Sequence, residues 1–199
     1  MNLKEEFNKT VNSVKQGLDQ LSLQLTLGKK EAMEEYQKQK KNIQQWVQEK
    51  QPMIDELKEE ANEEVQELKT KFNELKSRVN KKAAQTEEEI KKDQQELSAT
   101  LDELQDEADK LENKAESSTK SFAANMSSQL DGLQTKVRSL SVALRDEAKE
   151  EWKEFQEDNK ENIENLKTKA GEFTEEAKEE WDEFKAEAKA LFKKFRSKF

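Results

Sequence analysis

The sequence predicts an all-α protein of very long amphipathic helices, arranged as an elongated helical bundle, a hairpin or a coiled-coil-like rod. The 199 residues include only 4 glycines and 1 proline, so the turn residues that a β-rich or loop-rich fold needs are scarce. Charged residues make up 41% of the chain and apolar residues 32%. That composition is typical of long helices and coiled coils, and it provides too little apolar material for a thick core.

Apolar residues recur every 18 positions, which is five whole turns of an α-helix. One series runs through Ile54, Phe72 and Ile90. The positions between them repeat in the same way, and all fall within an arc of about 100° on one side of the helix. An 18-residue period combines a heptad with an 11-residue repeat, so nearly straight helices are expected rather than a leucine zipper. The predicted self-association stripe consists of Ile54, Leu57, Val65, Leu68, Phe72, Leu75, Val79, Ile90, Leu97, Leu101, Leu104 and Leu111.

The first predicted segment, residues 1–51, is an N-terminal amphipathic helix. Its apolar face runs from Val11 and Leu18 to Tyr36 at helical spacing. The only proline, Pro52, cannot lie inside a helix without losing a hydrogen bond and clashing with the preceding turn. A break or kink is therefore expected at Gln51–Pro52, with Pro52 in the first turn of the next helix.

The second predicted segment, residues 52–145, is a long acidic helix that carries the 18-residue repeat. Its best candidate interruption is the polar cluster at 116–121, where Ser117 or Ser118 could cap a new helix. If the chain turns there, helices of about 48, 64 and 80 residues could fold back antiparallel; otherwise one helix continues. Asp93 is the only acid within the stripe, and we interpret it as a polar residue that sets helix register.

The third predicted segment, residues 146–199, is an aromatic-rich amphipathic helix with a basic tail. Residues 185–199 contain 6 basic residues and 1 acidic residue, a net charge of +5. Aromatic side chains flanked by cations are suited either to packing against another helix or to a lipid interface, where the cations extend toward headgroups. The candidate lipid or partner face consists of Trp152, Phe155, Phe173, Trp181, Phe184, Phe192, Phe195 and Phe199, with Lys185, Lys194, Arg196 and Lys198.

A short sequence is repeated within this third segment. AKEEWKEF at 148–155 recurs as AKEEWDEF at 177–184. Amphipathic repeats rich in Glu and Lys resemble apolipoprotein-type lipid-binding proteins and late-embryogenesis-abundant proteins. The resemblance implies a chain that binds a lipid or particle surface, or a stress-protective chain that becomes helical on drying or crowding.

Composition also argues against catalysis and against nucleic acid as a partner. The chain has no histidine and no cysteine, which removes the usual nucleophile–base pairs and the common zinc ligands. Its four glycines are isolated, so there is no phosphate-binding loop. The net charge of −9 would repel phosphates. We therefore predict a non-enzymatic protein without a cofactor, a metal or a small-molecule substrate.

Two functions fit these observations best, and a weaker alternative is a stress-protective chain that is helical only under some conditions. The first is a structural protein that self-associates into a homo-oligomer, with its stripes packed within the chain or between identical chains. The alternative is a peripheral lipid- or particle-surface protein that docks through residues 146–199. The N-terminus has no apolar run typical of a secretory signal, and no segment reaches the ~20 apolar residues of a transmembrane helix. A cytoplasmic protein, or one peripheral to a membrane or particle, is expected.

Overall fold

The computed structural model describes residues 3–22, 28–57, 63–81, 84, 86–115, 117–145, 148–172 and 178–199. Within these ranges all regular secondary structure is α-helical, and the helices pack against one another. The all-α prediction is confirmed. The helices of the described ranges are α1 (Leu3–Ser22), α2 (Lys29–Asp55), α3 (Glu63–Val79), α4 (Glu87–Lys114), α5 (Ser117–Ala143), α6 (Ala148–Glu172) and α7 (Lys178–Lys198).

The helix boundary predicted at Gln51–Pro52 lies elsewhere, because α2 continues through Pro52 and ends at Asp55. Pro52 is exposed, so water can replace the hydrogen bond that its missing N–H would have made. Two residues further on, Ile54 is buried, and its packing holds this last turn against the core. The Glu56 N–H then donates to the Pro52 carbonyl at 3.0 Å and closes the helix end.

Residues 52–145 do not form one helix. The Asn80 side chain donates to the Lys76 carbonyl at 2.8 Å, just beyond the end of α3. Thr86 then caps α4: its hydroxyl accepts from the Glu89 N–H, and the Glu89 carboxylate accepts from the Thr86 N–H, each at 3.2 Å. This reciprocal arrangement stabilises a helix start. A further interruption falls where the serine cluster predicts it, because α4 ends at Lys114 and α5 begins at Ser117.

The chain forms two compact units, each with its own core. Unit 1 comprises Met1–Lys29 and Ser128–Phe199, and unit 2 comprises Lys30–Ser127. Unit 1 thus contains α1, the second part of α5, α6 and α7, whereas unit 2 contains α2 to α4 and the start of α5. These units cut across the segments 1–51, 52–145 and 146–199 that the sequence distinguishes by composition.

In unit 1, α5 is buried on nearly all sides, and it touches α1 through glycine. Between 128 and 143, the part of this helix that belongs to unit 1, only three residues are charged. A methyl group added to Gly17 on α1 would lie 2.8 Å from the Phe192 ring and 3.4 Å from the Cα of Gly132. One added to Gly132 would lie 2.5 Å from the Ser13 hydroxyl. The two glycines therefore let the α1 and α5 backbones approach closely.

Candidate interaction site

The predicted self-association stripe is buried within the chain. All twelve of its residues belong to unit 2, where α3 packs directly on α4. Eleven are buried and Leu57 is half-buried. Fully burying one such side chain stabilises the folded state by roughly 1.5–3 kcal/mol. The stripe therefore forms the core of unit 2 in a single copy of the chain.

No large apolar side chain is fully exposed among those that the structure describes. Here the large apolar residues are Leu, Ile, Val, Met, Phe, Tyr and Trp. Even the least covered of them are half-buried: Met33, Trp46, Met53, Leu57 and Phe199. The Trp46 ring, for example, lies against Phe72 at a centroid distance of 6.1 Å. The described surface thus offers no extended apolar patch of the kind that marks a preformed interface.

The aromatic face predicted to contact lipid or a partner forms the core of unit 1. Six of its rings are buried: Trp152, Phe155, Trp181, Phe184, Phe192 and Phe195. Phe195 on α7 lies edge-on to Trp152 at 5.3 Å and 5.6 Å from Phe155, both on α6. Phe199 is half-buried beside the same two rings. Phe173 lies outside the described residues. Interlocked rings of this kind stabilise a core beyond their buried area.

The four cations predicted to flank this face contact the chain's own polar groups. Lys185 pairs with Asp182 at 3.4 Å, Lys198 pairs with Glu154 at 3.9 Å, and Lys194 donates to the Asn159 side chain at 2.9 Å. These pairings are intrachain, and most lie at the surface, where an ion pair contributes little to stability.

Arg196 is largely buried rather than extended into solvent. Its guanidinium pairs with Asp131 on α5, whose side chain is 2% exposed, and donates to the Gln134 side chain at 2.7 Å. The Arg138 guanidinium donates in turn to the Arg196 carbonyl at 3.2 Å. A charge-assisted hydrogen bond to a buried carboxylate is among the stronger polar contacts in a protein. Arg196 therefore anchors the end of α7 on α5.

Unit 2 contains a polar cluster inside its apolar core. Asp93 on α4 accepts hydrogen bonds from the Lys40 ammonium at 2.6 Å and from the Tyr36 hydroxyl at 3.0 Å, both on α2. The Lys40 and Asp93 side chains are 7% and 13% exposed. Beside them, Arg78 of α3 pairs with Glu96 of α4. The polar cluster, defined as Tyr36, Lys40, Arg78, Asp93 and Glu96, thus joins three helices.

Burial and the Asp93 carboxylate together raise the pKa of Tyr36 well above its ordinary value. The Tyr36 hydroxyl is therefore neutral at neutral pH and donates its hydrogen to Asp93. The special position of Asp93 was predicted from the stripe, but its partner Lys40 was not. The spacing of residues on α2 does indicate that Lys40 is buried, because it lies four residues after Tyr36 and three before Ile43, on the same face of the helix.

A second polar contact joins α4 to the start of α5 in unit 2. The Gln105 side chain donates to the Ser127 hydroxyl at 2.5 Å, and that hydroxyl donates to the Asp109 carboxylate at 2.7 Å. The Asp109 carboxylate also accepts from Gln105 at 3.2 Å. This contact is not predictable from the sequence, because Gln105 and Ser127 are uncharged residues without a periodic pattern.

Within the described ranges, no group of three or more acidic residues is arranged to hold a metal ion. No helix there is both long enough and apolar enough to cross a membrane. Comparison with protein-family models, with curated proteins and with solved structures finds no match. The packing of these helices is therefore the basis for proposing a function.

Proposed function

We propose that this chain is a non-enzymatic interaction protein that self-associates by exchanging helices between copies. One observation carries the proposal: the described helices bury their apolar faces within a single chain, and the described surface has no exposed large apolar side chain. A partner that uses these faces must therefore replace a helix of the chain itself. A second copy supplies an identical helix, and such an exchange needs no new interface.

The repeat in the sequence favours this mode of association. The stripes of α3 and α4 have the same 18-residue spacing, and the residues of both are buried in the core of unit 2. The outer faces are charged, and like-charged outer faces do not associate readily. Exchange of a helix leaves the charged outer faces in contact with water. Association through the outer faces of the folded chain would instead remove these charges from water.

Light scattering on a concentration series tests this proposal. We expect the mass to rise from the 23.2 kDa of one chain toward twice that value after incubation at high concentration and mild temperature. A matched control carries Gln44→Cys and Asn80→Cys, whose native side chains are hydrogen-bonded at 2.6 Å between α2 and the end of α3. Joining these two positions with a short thiol cross-linker fixes α2 in place, so this variant should remain a single chain. A constant mass of one chain for the unlinked protein would contradict the proposal.

A second candidate function is docking on a lipid surface through α6 and α7. The observation that favours it is the concentration of buried rings on these two helices, next to the basic segment 185–199. If α7 separates from α6, it presents a face of aromatic side chains with cations at its edges, which is suited to an anionic interface. This is also what the resemblance to apolipoprotein-type repeats implies.

Co-flotation with anionic vesicles tests the lipid function without disrupting the fold. Lys169 on α6 and Glu187 on α7 form an ion pair of 2.7 Å at the surface, so cysteines at these positions can be joined by a short bismaleimide. We expect the unlinked double variant to float with vesicles and the linked form to remain in solution. Flotation of both forms, or of neither, would count against docking by separation of α7.

A further inference from the structure

The polar cluster of unit 2 interrupts two apolar faces at matching places. On α2, Lys40 lies on the buried face between Tyr36 and Ile43. On α4, Asp93 lies on the stripe between Ile90 and Leu97. Each charge would be costly to bury alone, and each is satisfied by the other at 2.6 Å. Breaking such a buried pair is strongly destabilising, because it leaves an uncompensated charge in the core.

α2 contacts both α3 and α4, and we call the surface that it covers there the groove. Other polar contacts of α2, such as Gln44 with Asn80 at 2.6 Å and Lys76 with Gln51 at 2.9 Å, are exposed to solvent. They therefore constrain the position of α2 less than a buried ion pair does.

Apolar faces with a helical repeat present similar surfaces when one helix slides by two turns, about 10 Å. Such a slide of seven residues would bring Met33 or Val47 to the place of Lys40, depending on its direction, and leave Asp93 without its cation. A single buried polar position is known to define register in helical assemblies for this reason.

We propose that Lys40 and Asp93, with Tyr36, determine which helix occupies the groove between α3 and α4, and in which register. The occupant is α2, either the chain's own or that of a second copy; this second alternative rests on the proposed self-association. Tyr36 is the only tyrosine in the chain, so no other helix of this protein places a tyrosine hydroxyl and an ammonium one turn apart. The groove thereby excludes the other amphipathic helices, although their apolar faces are similar.

Cross-linking in a chain that naturally has no cysteine measures the register directly. The native register is reported by Gln44→Cys with Asn80→Cys, and a two-turn slide is reported by Gln51→Cys with Asn80→Cys. With a short thiol cross-linker, we expect the native pair to form at least about tenfold faster than the shifted pair when Lys40 and Asp93 are present. Circular dichroism on every variant verifies that the helices are retained.

Three changes to the pair separate register selection from simple stabilisation. Lys40→Leu with Asp93→Leu should remain helical, because well-packed apolar residues often replace buried ion pairs without loss of stability. Its native and shifted cross-links should then form at rates within about twofold of each other. The charge swap, Lys40→Asp with Asp93→Lys, should restore the native preference. The control Lys71→Leu with Glu103→Leu removes a half-exposed pair between α3 and α4 and should leave the register unchanged.

Two results would overturn the inference. One is a tenfold native preference that persists in the Leu/Leu variant. The other is a helical charge-swap variant in which the shifted cross-link dominates. Mixing a chain that has only Gln44→Cys with one that has only Asn80→Cys tests the second copy as occupant. If this mixture gives no cross-linked dimer, self-association by exchange fails, whereas the register result within one chain remains valid.

Discussion

The two units bury the apolar faces of their amphipathic helices by different means. Unit 2 has a mainly aliphatic core built from a repeated stripe, which contains the buried Lys40–Asp93 ion pair. Unit 1 has an aromatic core around a helix, α5, whose buried residues include Gln129, Gln134 and Ser139. A repeated aliphatic stripe does not discriminate between registers, so unit 2 needs a charge pair to do so. In unit 1, close glycine contacts and interlocked rings make the packing specific by shape.

The largest effect should come from removing a ring that unit 1 uses to interlock α6 and α7. Phe195→Ala deletes contacts to Trp152, Phe155 and Phe199 at once. We expect it to lower the free energy of unfolding by about 3–5 kcal/mol, compared with about 2–5 kcal/mol for Leu101→Ala in unit 2. Urea denaturation followed by circular dichroism measures both values. A loss below about 1 kcal/mol for Phe195→Ala would mean that the rings do not define the core of unit 1.

A smaller effect is expected from Asp131→Asn, which keeps the size of the side chain but removes the charge that binds Arg196. Loss of a hydrogen bond between charged groups should reduce the free energy of unfolding by about 1.5–3 kcal/mol. The control is Asp158→Asn on the exposed side of α6, where a change within about 0.5 kcal/mol is expected. Equal effects from the two substitutions, again by urea denaturation, would show that α5 does not depend on this anchor.

Two glycine substitutions test whether unit 1 is specified by shape. Gly17→Ala should destabilise the protein by about 1–3 kcal/mol, because the added methyl overlaps the Phe192 ring. Gly171→Ala on α6 meets nothing within 4 Å and should stabilise the helix by about 0.5–1 kcal/mol. Thermal unfolding of the two variants should therefore shift in opposite directions. A shift to higher temperature for Gly17→Ala would contradict the close packing of α1 against the Phe192 ring of α7.

The smallest effect concerns pH and the surface of α3 and α4 in unit 2. The hydrogen bond from Lys114 lowers the pKa of the Glu64 carboxyl. A carboxyl group whose pKa is lowered by folding stabilises the folded state at pH values above its unfolded-state pKa of about 4.3. This stabilisation is lost as the pH falls through the pKa of the folded state. We therefore expect Glu64→Gln to reduce the loss of stability on acidification below about pH 4.3.

Glu67 is the matched control on the same helix, because a hydrogen bond shared with Glu107 raises the pKa of its carboxyl. Glu67 therefore stabilises the folded state at pH values below its unfolded-state pKa, and this stabilisation is lost as the pH rises through its folded-state pKa. Glu67→Gln should thus change the pH dependence in the opposite sense to Glu64→Gln. Urea midpoints measured across the acid range test the pair, and the same sign for both would contradict these assignments.

The helical fold and the residues of the unit 2 core were predictable from the sequence, because burial follows the 18-residue period. Helix ends were less predictable, since they depend on local capping. Thr86 and Glu89 have the spacing of a capping box, but the apolar stripe continues past them and so does not indicate that a helix begins there. Pro52, in contrast, predicts a helix boundary that the structure does not have. Packing of Ile54 keeps the last turn of α2 helical after this exposed proline.

The surroundings of α5 were not predictable from periodicity. Its apolar positions continue the stripe, but the period does not show which of its polar residues are buried. Burial of Gln129 and Gln134 depends on partners from α1 and α7 that are distant in the sequence, such as Thr10 at 3.3 Å from Gln129. Arg196 was placed at a lipid-facing edge because a cation in a basic tail is usually exposed. Only the three-dimensional arrangement brings it next to Asp131.

Tryptophan fluorescence at a concentration where light scattering gives the mass of a single chain tests the central claim most directly. A Trp46→Phe variant retains Trp152 and Trp181, both buried in unit 1. If each chain covers its own aromatic face, their emission will be blue-shifted and weakly quenched by acrylamide in the monomer. Emission typical of water-exposed tryptophan in the monomer, with protection only as the mass doubles, would contradict that claim.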